Sequence, residues 1–413
     1  MSVQVEHGFR SPHLPLPRDE RQGIALCLSG GGYRAALYHL GATRRLNELG
    51  VLSQISTLTS VSGGSILASV IAAYAVRKPE AWSRPGEPVA GWDDEVAKPL
   101  EELTHHNIRT RSILKGALPW NLLKRDVQID ALADRLAEGP TGRARLADLP
   151  ERPRFVFCSS EMVFRAQWTF DSGPRRFGAE PSGHRDFGDF TIARAAASSS
   201  CLPGAFSPMS LRERLAGGTY DGDDATKLHG KLALSDGGMY DNLGVEPVWQ
   251  DHETVLVSDA APTLRPDPGF GAVWSQLRFA AILLEQATDV RKRWLISNFI
   301  AGLLDGAYWS IAGTAEEYPK PSHPAYSAAF VRDSIAPIRI DLDVFSDGER
   351  AVLQNHGYLM AETAIRSHVP KLARADAPPP QVPYPDWMDE RKAGGALRES
   401  GKTRLFSRGW LHG

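Results

Sequence analysis

Ser62 sits in the stretch Thr59-Ser60-Val61-Ser62-Gly63-Gly64-Ser65, at the end of the apolar run Ile55-Ser56-Thr57-Leu58-Thr59. A serine on a sharp turn between a strand and a helix has its hydroxyl pushed out at the carboxyl edge of a sheet, the nucleophile-elbow arrangement. The helix that follows presents a partial positive charge, which favours a developing alkoxide or oxyanion. The general pattern is G-x-S-x-G; here Ser60 replaces the first glycine, at a position that must be small for strand and helix to approach. Taken alone, such a cluster of small residues equally marks tight helix–strand packing.

A second stretch belongs with it. Gly30, Gly31 and Gly32 follow the apolar run Ile24-Ala25-Leu26-Cys27-Leu28 and lead into Tyr33-Arg34. Successive glycine N–H groups can converge on one point, because glycine tolerates positive φ and has no Cβ to block an incoming carbonyl. That is what an oxyanion hole requires. A nucleotide phosphate loop fits less well: there is no G-x-x-x-x-G-K-[ST], and the glycines are contiguous instead of spaced as G-x-G-x-x-G.

The third stretch, Leu232-Ala233-Leu234-Ser235-Asp236-Gly237-Gly238, reads as a strand emptying into a glycine turn with an aspartate at its tip. An Asp-Gly pair is ordinarily only a turn, but these glycines would let other backbone come close. Asp236 could accept the Ser62 proton in a water-poor pocket, where a carboxylate becomes a better base. None of the twelve histidines has a comparable setting: His39 lies on the first helix, His105 and His106 in a polar segment, His229 before a strand, and His356 before a late helix. An esterase triad therefore lacks a convincing third member, and a two-residue Ser62–Asp236 site is open to the chain. The alternatives are a triad esterase that uses one of these histidines and a non-catalytic protein that uses the glycine cradle to bind a lipid or anionic ligand.

These groups need a scaffold that opens all three loops on one edge. The pattern predicts a strand at 24–28, a helix from Tyr33 to about Leu49 closed by Gly50, a strand at 55–59 and a helix from Ser65 to about Val76. Further strands are expected at 155–158, 232–236 and 255–257. Alternating strands and helices imply parallel strands with right-handed crossovers, hence an α/β layered fold. The glycine-punctuated stretch 170–190 reads as a long lid or binding loop. In 291–313 the apolar residues Ile296, Ile300, Leu303, Ala307 and Ile311 recur at helical spacing, reading as a helix buried against the sheet in preference to one lying on a lipid surface. Asp221-Gly222-Asp223-Asp224 lacks the spacing of a calcium loop and reads as a turn. Three segments result: a Pro-containing arm at 1–20, a main domain at 21–368, and a Pro-containing, basic tail at 369–413.

The totals fit this picture. Of 413 residues, 42% are hydrophobic and 23% charged, and the net charge of −2 gives no pull toward nucleic acid. Cys27, Cys158 and Cys201 are odd in number and lie among apolar or small residues, as buried hydrophobes do in a reducing compartment. The N-terminus lacks the basic start and apolar core of a secretory signal, and no run approaches the roughly 18 apolar residues of a membrane span. A cytoplasmic location is expected.

The glycine loop, serine elbow and Asp-Gly-Gly turn, in this order, resemble the patatin-like phospholipase family, related to the cytosolic phospholipases A2. The segment Ser198-Ser199-Ser200-Cys201-Leu202-Pro203-Gly204-Ala205-Phe206 and the short His356-Gly357-Tyr358 are similar as well, so the likeness spans roughly residues 22–368. The resemblance implies a three-layer α/β/α sandwich with a mainly parallel central sheet. It also implies hydrolysis of phospholipid or other acyl-ester lipids by a Ser–Asp dyad, with no metal or cofactor. It makes Ser62 the nucleophile, Asp236 the base, and Gly30, Gly31 and Gly32 the oxyanion hole. Arg34 matches the arginine after the glycine loop in the cytosolic branch, where it would either attract a phosphate head group or brace the loop through a salt bridge. Peripheral contact with a membrane is compatible with this reading, and nothing in the sequence sets an oligomeric state.

Overall fold

Alternation along the first strand decides the layering. The computed structural model describes residues 20–108, 110, 126–179, 183–203, 206–211, 231–261, 272–319 and 323–402. The rest of the N-terminal arm, the 221–224 turn, His229 and the basic end at 403–413 lie outside the described residues. Strand β1 (Ile24–Leu28) turns Leu26 and Leu28 to one face and Ala25 and Cys27 to the other, as a period of two requires. Both faces are therefore apolar and both must be covered.

The remaining strands are β2 (Ile55–Val61), β3 (Arg154–Glu161), β4 (Ala166–Asp171), β5 (Arg176–Ala179), β6 (Gly183–Asp186), β7 (Met209–Ser210), β8 (Ala233–Asp236), β9 (Thr254–Asp259) and β10 (Asp305–Ser310). They form a sheet in the order β10-β9-β1-β2-β3-β4-β5-β6, with β8 joined to β3 and β7 to β8. From β10 to β3 the strands are parallel; β4, β5, β6 and β8 join antiparallel. The described helices used below are α1 (Gly32–Glu48), α2 (Gly63–Arg77), α3 (Ile192–Ser199), α4 (Ala272–Ile300), α5 (Asp347–His368) and α6 (Glu390–Lys402). Helices α1, α2 and α5 cover the face of Leu26 and Leu28. The opposite face, with Ala25, Cys27, Val255 and Val257, is closed by Leu243, Val245 and Val248 and by Leu295 near the end of α4. The architecture is the three-layer α/β/α sandwich with a mainly parallel sheet.

Three expectations change. The described residues of 170–190 are not a loop: β5 and β6 extend the sheet, and Phe190 stacks on Phe170 with Phe177 tilted against both in an aromatic cluster. The glycines that suggested a lid hid a strand period. The stretch 291–313 is not one helix: α4 starts at Ala272 and ends at Ile300, and the chain resumes as β10. Ala307 is thus buried within β10 and Ile311 just past its end, while Ile300 and Leu303 are exposed. His356 lies inside α5, with its ring on the Ile311 carbonyl at 3.0 Å. The expected tail is packed on the main domain in its described part, 369–402, where Arg45 donates to the Pro378 carbonyl and Asn355 to that of Tyr384; its helix α6 was not foreseen. The three cysteines are buried and unbridged. Among the described residues no helix is long and apolar enough to cross a membrane.

Candidate active site

Strand β3 brings the site together. Antiparallel β4 holds one of its edges from Val156 to Glu161. On the other edge β2 runs parallel as far as Val61, opposite Cys158, where the chain leaves the sheet as α2. The vacated length of that edge is taken by antiparallel β8, which ends with Asp236 opposite Ser159. Two strands running toward each other on one edge thus finish against consecutive residues of β3. Ser62, the residue after Val61, meets Asp236 head-on by register.

Ser62 carries φ 50° and ψ −120°, a conformation that costs a non-glycine residue of order 1–3 kcal/mol. Its surroundings over-determine it. Ser62 N–H donates to Ser199 Oγ at 2.9 Å, and Ser200 Oγ donates to the Ser62 carbonyl at 2.9 Å. The same end of α3 holds the acid: Asp236 N–H donates to the Cys201 carbonyl at 3.0 Å and Gly237 N–H to that of Ser199 at 3.2 Å. Ser60, the departure from the elbow pattern, is accommodated by a hydrogen bond with Ser65, their oxygens 3.0 Å apart.

The Asp236 carboxylate is buried. Oδ1 accepts the Gly238 N–H at 2.8 Å, and among the described residues Oδ2 has no hydrogen-bond partner. Burial pushes its pKa up to about 6, against the smaller opposing pull of the adjacent Ser62 hydroxyl and the Gly238 N–H. The hydroxyl is near enough to exert that pull, yet it makes no closed hydrogen bond to Oδ2. Catalytic hydrogen bonds of this kind tighten when substrate binds.

The glycine loop is wedged against the elbow. Gly64 N–H donates to the Ser29 carbonyl at 3.2 Å, and a Cβ on Gly63 would fall 2.0 Å from the Gly32 carbonyl oxygen. Only glycine permits that approach. Gly31 and Gly32 have φ of +143° and +60°, and among the described residues neither N–H has an intramolecular partner. Gly30 differs from the expectation. Its N–H is given to the Asn242 carbonyl at 3.1 Å, which removes it from the donors facing a ligand.

Arg34 is corrected too. It is 2% exposed, outside the cleft, and its guanidinium donates to the carbonyls of Ala260, Ala336 and Ile338, without a salt bridge among the described residues. Its partners are backbone dipoles, neither a carboxylate nor the cleft.

Ser62, Asp236 and the glycine loop open on a cleft of about 340 Å³ whose apolar walls include Leu202, Phe206, Met239, Leu284 and Leu342. Sequence reasoning missed the anchoring role of Ser199 and Ser200, the carbonyl of Asn242, the 340–342 wall and the wall formed by α4. The consecutive serines at 198–200 were the available signal for the first. His39 is buried on Ser258 and Ser29, burial lowering its pKa to about 4, and among the described residues no histidine lines the cleft.

A family model described as Patatin-like phospholipase matches residues 26–249. No curated protein matches the chain in sequence. Similar solved structures include human GIVD cytosolic phospholipase A2, 13% identical with a TM-score of 0.44 over 92% of this chain and 60% of that one. The human protein in complex with methyl gamma-linolenyl fluorophosphonate and terbium chloride is 12% identical, with a TM-score of 0.47 over 85% and 59%. VipD from Legionella pneumophila is 13% identical, with a TM-score of 0.36 over 85% and 68%. The chain spans only about 60% of the human chains it resembles. The family match covers more than half of the sequence, and the chain belongs to the patatin-like phospholipase family, a family of lipid hydrolases.

Proposed function

We propose that the protein is a serine acyl hydrolase that cleaves phospholipids or related acyl-ester lipids with a Ser62–Asp236 dyad. The observation that carries this reading is the strained Ser62 turn, held hydroxyl-first beside a buried carboxyl whose Oδ2 has no partner among the described residues. A carboxylate with a pKa near 6 is ionised at neutral pH, yet is a stronger base than an ordinary aspartate. Ser62 Oγ attacks the ester carbonyl carbon while its proton passes to Asp236 Oδ2. The tetrahedral oxyanion rests on the Gly31 and Gly32 N–H groups, each such donor being worth about 10²–10³-fold in rate. Collapse breaks the ester C–O bond, and the departing alkoxide takes the proton from Asp236, leaving an acylated Ser62. Water then attacks the acyl carbon, giving its proton to Asp236. The second collapse releases a carboxylic acid and returns that proton to Ser62 Oγ. The apolar walls suit a fatty acyl chain and exclude the water that would lower the Asp236 pKa.

A serine-reactive phosphonate should label the protein, and Ser62→Ala should abolish labelling and lower ester hydrolysis on the order of 10⁴-fold or more. Hydrolysis that survives in Ser62→Ala would reject this function. Binding of lipid by wild type with no cleavage at any chain length would point to the non-catalytic alternative.

A further inference from the structure

We infer that Arg34 is a positioning residue for acyl transfer: from behind the cleft it clamps the two backbone segments that hold the Gly31–Gly32 turn in shape. The inference rests on the serine-hydrolase reading above. Nη2 of Arg34 donates to the Ala260 carbonyl at 2.5 Å, just beyond β9. Nη1 donates to the carbonyls of Ala336 at 3.3 Å and Ile338 at 3.0 Å. These are the segments that bracket the glycines. The Ala260 oxygen lies 2.9 Å from where a Gly31 Cβ would be, and the Asp341 oxygen 2.6 Å from where a Gly32 Cβ would be. The second segment is tied back to the start of α1, because Tyr33 N–H donates to the Asp341 carbonyl at 2.8 Å. Its residues 340–342 go on to line the cleft.

One planar fork therefore spans both sides of the turn whose free amides face the ligand. Lysine, a point donor on a flexible stem, cannot reach both sides in fixed geometry. The cation also stays charged at neutral pH, since burial lowers its pKa only to about 10, with Asp259 opposing the fall. Three carbonyl dipoles replace its lost hydration. Head-group recognition is excluded by position, because the guanidinium is sealed beneath the loop.

Two substrates separate the roles: a p-nitrophenyl acyl ester, which has no phosphate, and phosphatidylcholine in mixed micelles. Rates are counted per site titrated by the phosphonate, so unfolded protein does not enter. Arg34→Lys and Arg34→Gln should each lose about 10²-fold in kcat, equally on both substrates, with KM within about threefold and the pH midpoint unmoved. A loss confined to KM for the phospholipid would overturn the inference in favour of a head-group ligand. Wild-type kcat in Arg34→Lys would overturn it outright, and this variant decides the matter should Arg34→Gln fail to fold. Ser62→Ala is run alongside: activity there removes the hydrolase reading itself, whereas an inert Ser62→Ala with fully active Arg34 variants removes only the positioning role.

Discussion

Around Ser62 the neighbouring backbone is secured from several directions, whereas α4, which forms another wall of the same cleft, is held in the core near its C-terminal end and exposes apolar residues along its middle. The elbow is fixed by Ser199 and Ser200, the acid by Cys201 and Gly238, and the glycine loop by Ser29, Asn242 and Arg34. Helix α4 is anchored near its C-terminal end, by Leu295 in the core and Trp294 edge-on to Trp249, and by ion pairs, Lys292 to Asp259 at 2.9 Å and Arg291 to Asp241 at 3.7 Å. Along its outer side Phe279 is 57% and Leu283 71% exposed. Groups that must hold strained or desolvated geometry need partners on every side. A wall that only meets acyl chain needs apolar surface and little precision.

Five substitutions test that contrast. Asp236→Asn should bring the largest change, a loss of about 10²–10⁴-fold in kcat. In wild type, kcat/KM should rise with pH through a midpoint near 6, because the base must be ionised. The same variant should gain stability. The native carboxyl binds its proton more tightly than the unfolded one, so wild-type stability falls as pH climbs from about 4 to above 6. Asp236→Asn should therefore be more stable by about 1–3 kcal/mol at pH 8, and the gain should vanish below pH 4. Urea melts at both pH values measure this; no gain at pH 8 would mean that Asp236 is not desolvated.

Lys292→Met leaves the buried Asp259 with hydrogen bonds, among the described residues, from Tyr308 and the Ala261 N–H. Burial raises the Asp259 pKa, but Lys292 and these hydrogen bonds outweigh it and hold the pKa below its usual range. The stabilisation is thus present above about pH 4 and lost in acid. Loss of the pair should cost about 3 kcal/mol at pH 7 and less as pH falls toward 3, read by thermal melts across that range.

Ser199→Ala removes the acceptor of the Ser62 N–H. A cost of about 1–3 kcal/mol is expected, together with slower phosphonate labelling; unchanged labelling would show that the elbow holds itself. The smallest effect belongs to α4: Phe279→Ser and Leu283→Ser should each shift stability by no more than about 0.5 kcal/mol. A larger drop in either melt would reveal a packing partner for that face and blur the contrast.

Much of this was legible in the chain. Strand–glycine–helix punctuation located the loop at 30–32 and the elbow at 62 because backbone that must bend sharply or approach closely restricts the residue type locally. The β1 and β2 strands and the first two helices followed from short-range periodicity, with Gly50 ending α1 in the left-handed region. Asp236 was visible as a strand-end aspartate. Where glycines broke the period, at 170–190, and where a helix stripe ran on into a strand, at 291–313, local pattern misled.

By itself, the sequence determined which residue types could react, and the turns that expose them, since these depend on neighbours a few positions away. Tertiary structure alone decided that β2 and β8 share one edge of β3, so that Ser62 and Asp236 meet. It alone committed the Gly30 amide to Asn242 and buried Arg34 beneath the loop. Those outcomes depend on register and on which distant carbonyl fills each gap, and long-range pairing energies set them without leaving a mark on local composition.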